Sequence, residues 1–125
     1  MPKVLIAEDE VVFRGQCRKA LEAAGHQVIE AEDGRQAVRL ARVENPDLVV
    51  MDLSMPGMDG MEALERMNDL RVRPPAVIFS NYQTCKSNYT FWGAQAYVQN
   101  TGLDFTNLLA AIHGVLKERP VEAAA

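Results

Sequence analysis

Short apolar runs that stop abruptly at an acid or a hydroxyl alternate along the chain with stretches whose apolar residues recur every three or four positions. The strongest run is Leu48-Val49-Val50-Met51, preceded by Asn45-Pro46 and followed at once by Asp52. An unbroken run of this kind predicts a strand buried on both faces. Lys3 to Ala7 predicts another short buried strand, ending in Glu8-Asp9-Glu10, and Ala76 to Ser80 a further one, introduced by Pro74-Pro75. Gln27 to Ala31 alternates more, as an edge strand does. Gln95 to Gln99, closed by Asn100-Thr101-Gly102, completes five strands.

Between the strands the period changes. Phe13, Cys17, Ala20, Leu21 and Ala24 predict one helix, which Gly25 ends as a left-handed cap. Asp33-Gly34 opens a second helix carrying Ala37, Val38, Leu40 and Ala41, and Asn45-Pro46 stops it. Asp59 caps a third through Met61, Leu64 and Met67. Residues 81–92 are rich in Asn, Ser and Thr, which compete with the backbone for hydrogen bonds, so the fourth helix is expected to be short or irregular. Phe105, Leu108, Leu109, Ile112, Val115 and Leu116 mark the last helix, with Asp104 or Thr101 as its cap.

Five strand-plus-helix units predict an α/β fold, (βα)5, a parallel five-stranded sheet with helices on both faces. Periodicity does not reveal strand order. The flavodoxin-like, doubly wound order is one common solution, and it sets the ends of the first and third strands side by side. The domain is expected over residues 1–118 and a C-terminal tail over 119–125. A formal net charge of −4 gives no general attraction to nucleic acid or to an anionic membrane. The early apolar run Val4 to Ala7 is too short for a signal peptide or a membrane span. Cys17 and Cys85 show no metal or redox spacing, so free thiols and a cytoplasmic location are expected.

Candidate chemistry gathers at the strand ends. A dry carboxylate at Asp52 would cost several kcal/mol, so its surroundings must hold water, a metal or a cationic partner. Pro56-Gly57 directly after it is turn chemistry, which opens the site to a loop. Under the flavodoxin-like order Glu8, Asp9 and Asp52 converge, and adjacent carboxylates raise one another's pKa. A hard divalent cation relieves the conflict, and Mg2+ suits a few carboxylates shared with waters and phosphate oxygens.

Ile6-Ala7-Glu8-Asp9-Glu10, Val50 to Gly60 with its Asp-Leu-Ser-Met-Pro-Gly-Met-Asp-Gly run, Ser80, and Gly93-Ala94-Gln95-Ala96-Tyr97 together resemble a response-regulator receiver domain over about residues 3–118. The resemblance implies Asp52 as phosphoryl acceptor, and Glu8, Asp9, Asp52 and the Ser54 carbonyl as ligands of Mg2+. It implies Ser80 as the hydroxyl engaging the phosphoryl group and Tyr97 as the aromatic switch. It also implies a histidine kinase or phosphotransfer protein as donor and a protein target downstream. Neither nucleic acid nor membrane insertion is expected as a partner. A homodimer through the face of the fourth helix, fifth strand and fifth helix is the remaining partner of this kind.

One position departs from the resemblance. Where the family carries a lysine at the end of the fifth strand, this chain has Asn100, followed by Thr101. Asparagine donates hydrogen bonds but brings no charge to a phosphoryl group. The leading reading is a stand-alone phosphoryl-accepting receiver, not an enzyme beyond self-phosphorylation and self-dephosphorylation. The alternative is a degenerate receiver whose contacts ignore phosphorylation. A haloacid-dehalogenase phosphatase would need a second aspartate two positions after Asp52, where Ser54 stands. Simpler roles compete at single positions. Asp9 could merely cap the helix after it, His26 and His113 are expected to be solvated, Met51, Met55, Met58, Met61 and Met67 are expected to pack, and Arg35, Arg39 and Arg42 to form a solvated helix face.

Overall fold

The computed structural model describes residues 1–53, 55, 57–71, 73–80, 94–99 and 104–117. Its strands are β1 (Lys3–Ala7), β2 (Gln27–Ala31), β3 (Leu48–Met51), β4 (Ala76–Ser80) and β5 (Ala96–Gln99). All pair in parallel, in the order β2-β1-β3-β4-β5. The helices among the described residues are α1 (Val11–Ala23), α2 (Gly34–Glu44), α3 (Gly60–Asn68) and α4 (Thr106–Lys117). This is the flavodoxin-like order. The helix expected between β4 and β5 and the tail lie outside the described residues.

The sheet separates two apolar layers. Leu5, Ala7, Val49, Met51, Ala76 and Ile78 face Ala37 and Ala41 of α2 and Ala63, Leu64 and Met67 of α3. Their strand neighbours Val4, Ile6, Leu48, Val50, Val77 and Phe79 face Cys17 and Leu21 of α1 and Leu108 and Ile112 of α4. Successive strand side chains point to opposite faces, so strands buried on both sides need the unbroken apolar runs seen in β1, β3 and β4. Each fully buried Leu, Ile or Met contributes about 1.5–3 kcal/mol relative to exposure. β2 is an edge strand, with Gln27 exposed and Ile29 and Glu30 half-buried.

Caps end the helices where the sequence indicates. Asp33 accepts a hydrogen bond from the Gln36 N–H at 2.8 Å, and Asn45 stops α2 in the left-handed region at φ 48°. Gly25 follows α1 at φ 94°, a conformation a side chain would strain. Asp104 accepts from the Thr106 N–H at 3.0 Å, which draws its carboxyl below the usual range and starts α4. Thr101 lies outside the described residues. The five methionines pack as expected, and Arg35, Arg39 and Arg42 are exposed.

His26 corrects the expectation of a solvated side chain. The turn at Gly25 drops it beneath the last helix, where it is 4% exposed and its ring centroid lies 5.3 Å from that of His113. His113 is exposed, as expected. Both ring nitrogens of His26 are buried without a hydrogen-bond partner among the described residues. No helix among the described residues is long and apolar enough to cross a membrane.

Candidate metal centre

The chain leaves β1 for β2 on one side and reaches β3 on the other, so a crevice opens at the carboxyl ends of β1 and β3. Register places acids on both lips of it. Ala7 pairs with Met51, so the residues that follow, Glu8 and Asp52, leave the sheet together. The ladder runs one step past the strands: the Asp52 N–H donates to the Ala7 carbonyl at 3.0 Å, and the Glu8 N–H donates to the Ala31 carbonyl at 3.0 Å. Backbone bonding therefore fixes where both carboxylates begin.

The loop after Asp52 is pinned by the start of α3. Asp59 caps that helix through the Glu62 N–H at 2.9 Å, and the Gly60 N–H donates to the Leu53 carbonyl at 3.1 Å. A Cβ on Gly60 would strike the Asp52 carbonyl oxygen and come within 2.7 Å of the Leu53 Cα. Only glycine lets the helix start so close behind the acid. Gly57, at φ 76°, makes the turn between them.

Oxygen atoms from Glu8, Asp9 and Asp52 all lie within 4.8 Å of one another, with Glu8 and Asp52 half-buried and Asp9 exposed. Burial, a hydrogen bond with Asp52, and the charges of Asp52 and Asp9 push the Glu8 carboxyl up to about 8, against a smaller opposing pull from the Glu10 N–H. The crowding anticipated from the sequence is thus present. Asp9 is also released from the simpler role. Glu10, not Asp9, caps α1, its two carboxylate oxygens accepting from Val12 N–H at 3.3 Å and Phe13 N–H at 2.7 Å.

The donor set fits a hard cation. It is all carboxylate oxygen, which suits Mg2+ with waters filling the other positions. Cys17 borders the same crevice with Phe13, Val50 and Phe79, around a cavity of about 10 Å³, room for roughly one water. Burial and the Glu8 charge push its thiol up to about 12, so it stays protonated and does not compete as a soft ligand.

Ser80 ends β4 beside β3 and is 1% exposed. The Tyr97 hydroxyl lies 3.5 Å from the Ser80 carbonyl oxygen, a long hydrogen bond, and its ring packs on the α2–α3 side of the sheet. Ser54 and Asn100 lie outside the described residues. One group near the site escaped sequence reasoning: Arg14 donates to the Glu8 carbonyl at 2.8 Å and to Glu30 at 2.8 Å. The available signal for Arg14 was its spacing of four from Arg18, which puts both on one helix face.

The sequence profile described as "Response regulator receiver domain" matches residues 4–113. The chain is 35% identical over 120 residues to Protein PilH of Pseudomonas aeruginosa, covering 93% of this chain and 98% of that one. It is 42% identical over 77 residues to the transcriptional regulatory protein PdtaR of Mycobacterium tuberculosis, covering 61% of this chain. The match spans only 38% of PdtaR's own length. Among solved structures, TrrA of Thermotoga maritima, a response regulator crystallised in complex with Mg2+-BeF, superposes with a TM-score of 0.84 at 25% identity, covering 92% of this chain and 99% of that one. The receiver domain of a Francisella response regulator gives a TM-score of 0.85 at 25% identity over 94% of this chain and 98% of that one.

Proposed function

Because the chain belongs to the response-regulator receiver family of two-component signalling, we propose that Asp52 accepts a phosphoryl group in a Mg2+-dependent step and that the chain signals by protein contact. The observation that carries this reading is the convergence of Glu8, Asp9 and Asp52 within 4.8 Å at the ends of neighbouring strands. The Mg2+-BeF complex of the TrrA relative supports it, since that pairing stands for a metal beside a phosphoryl group.

Glu8, Asp9, Asp52 and the Ser54 carbonyl would hold the cation. When bound, Mg2+ supplies positive charge that offsets the phosphoryl oxygens and the repulsion among the acids. An Asp52 oxygen attacks phosphorus, and the bond from phosphorus to the donor nitrogen breaks. Its electron pair stays on the leaving imidazole, which takes up a proton, and Asp52 carries the group as an acyl phosphate. The ladder bond from Asp52 N–H to Ala7 and the packing of Gly60 hold the attacking carboxylate in place, which is most of what phosphoryl transfer asks of a protein. Ser80 then engages the phosphoryl group and Tyr97 follows it inward, changing the surface offered to a target.

The donor in this reading is a histidine kinase or a phosphotransfer protein, consistent with 35% identity over 80 residues to sporulation initiation phosphotransferase F of Bacillus subtilis. Mass and ³¹P spectra after incubation with Mg2+ and a small phosphodonor test the step. One phosphoryl adduct is expected, absent in Asp52→Asn; no adduct, or one that survives the substitution, overturns the reading. A second reading rests on Asn100, whose lack of charge argues for target contact that ignores phosphorylation. Partner affinity unchanged by a phosphate mimic, and made sensitive to it by Asn100→Lys, would favour that one.

A further inference from the structure

We propose that Arg14 is a positioning residue for the cation site, locking the peptide that joins Glu8 to Asp9 and tying it to the edge strand through Glu30. The inference rests on the reading of Glu8, Asp9 and Asp52 as ligands. Arg14 lies in the second turn of α1, and its side chain, only 12% exposed, runs back toward the start of the helix. There its Nη1 donates to the Glu8 carbonyl oxygen at 2.8 Å while its Nε donates to Glu30 Oε1 at 2.8 Å. The other Glu30 oxygen accepts from Arg18 Nη1 at 2.6 Å, and Arg18 Nε donates to Glu22 at 3.0 Å. Glu30 is therefore gripped at both oxygens and gives Arg14 a fixed anchor.

The Glu8 carbonyl shares a peptide plane with the Asp9 N–H. Turning that plane would swing both carboxylates, so a guanidinium fastened to its oxygen fixes their relative direction. Positioning, not charge, is the role. Asp52, Asp9 and the Glu10 N–H are the groups that act on the Glu8 proton, and the Arg14 charge is matched by Glu30. The planar fork of arginine serves two acceptors in fixed directions, which a lysine ammonium on a flexible stem does not. Partners that orient a ligand from behind commonly contribute about tenfold or more to metal affinity.

The test follows Mg2+ binding by calorimetry and amide exchange in the full chain. Arg14→Gln and Arg14→Lys should each bind Mg2+ about tenfold more weakly than wild type. Ile112→Val, a core substitution in α4 on the layer that α1 shares, should lower the melting temperature without changing that affinity. In metal-free buffer the Asp9 and Glu10 amides should exchange faster in Arg14→Gln than in wild type and in Ile112→Val. Wild-type Mg2+ affinity in Arg14→Gln, full rescue by Arg14→Lys, or unaltered exchange at those amides overturns the role of Arg14. Failure of the wild-type chain to bind Mg2+ sinks the reading of the site instead, and the metal-free exchange result then still decides whether Arg14 orders the peptide.

Discussion

Glu8 shows how a single residue can work against the fold that holds it. Without a cation its carboxyl is pushed up to about 8 from 4.5, chiefly by burial and then by Asp52. Between those values the folded chain binds the proton more tightly than the unfolded chain does. Its contribution to stability is fully present below 4.5 and is lost as pH rises through about 8. Thermal unfolding in chelator should show the melting temperature falling across that window, with the fall flattened in Glu8→Gln. Saturating Mg2+ should reverse the slope, because the ion needs the carboxylate deprotonated. Identical slopes with and without Mg2+ would contradict the placement of Glu8 at the metal. At this scale the acids were legible in the sequence, since packing alone gives an apolar run no reason to break at a carboxylate beside turn residues. Arg14 and Glu30 were not. Their pairing matters through the Glu8 carbonyl oxygen, and side-chain patterns do not register backbone acceptors.

Among the elements, α3 depends most on a residue with no side chain. Gly60 begins the helix against the Asp52 carbonyl and the Leu53 Cα, at 2.7 Å from the nearest carbon of Leu53 for an added methyl. Backbone on both sides leaves nothing flexible to yield. Gly60→Ala should destabilise the domain by about 1–3 kcal/mol, the usual range for overpacking, measurable as a lower urea midpoint at unchanged m-value. It should also weaken Mg2+ binding, because the helix can back away only by dragging the Asp52 loop. A neutral Gly60→Ala would mean that α3 is less tightly docked than its geometry requires. Element limits were well read from the chain where caps and breakers stand in the sequence: Asp33, Asn45 and Asp59 act as their types suggest. The start of α1 was harder. Three acids in a row offer three caps, and only the three-dimensional path shows Glu10 folding back onto Val12 and Phe13 and leaving Asp9 to the crevice.

Across the whole molecule, the first helix and the last one cover the same apolar layer of the sheet. His26, at the turn from α1 to β2, and His113, on α4, bring those distant segments ring to ring at 5.3 Å. Burial first, then the positive charges of a protonated His113 and of the N-terminus, hold the His26 imidazole below its ordinary 6.5. The neutral ring is thus the form the fold accepts. Its contribution to stability is complete above 6.5 and is lost as pH falls through the lowered value. Acid titration followed by near-ultraviolet circular dichroism should show a loosening that His26→Phe removes and Glu8→Gln leaves in place. This contact could not have been read from the chain, because the two histidines stand far apart along it and only the turn at Gly25 carries the first one under the helix. Strand order was hidden for a related reason. Periodicity describes what each segment buries, while the sequence of neighbours in a sheet is decided by crossovers that leave no mark on any one segment.

The acids at the crevice hang from rungs, through the bonds Asp52 N–H to Ala7 and Glu8 N–H to Ala31. Ordinary fraying, which loosens surface loops and sheet edges long before a domain comes apart, treats the two differently. The Asp52 amide is tied between β1 and β3 inside the sheet and opens only when those strands part, whereas the Glu8 amide is tied to edge strand β2 and opens when that edge peels away. A chain half-melted at its β2 edge by heat or a damaging substitution keeps one acidic lip in place and loosens the other.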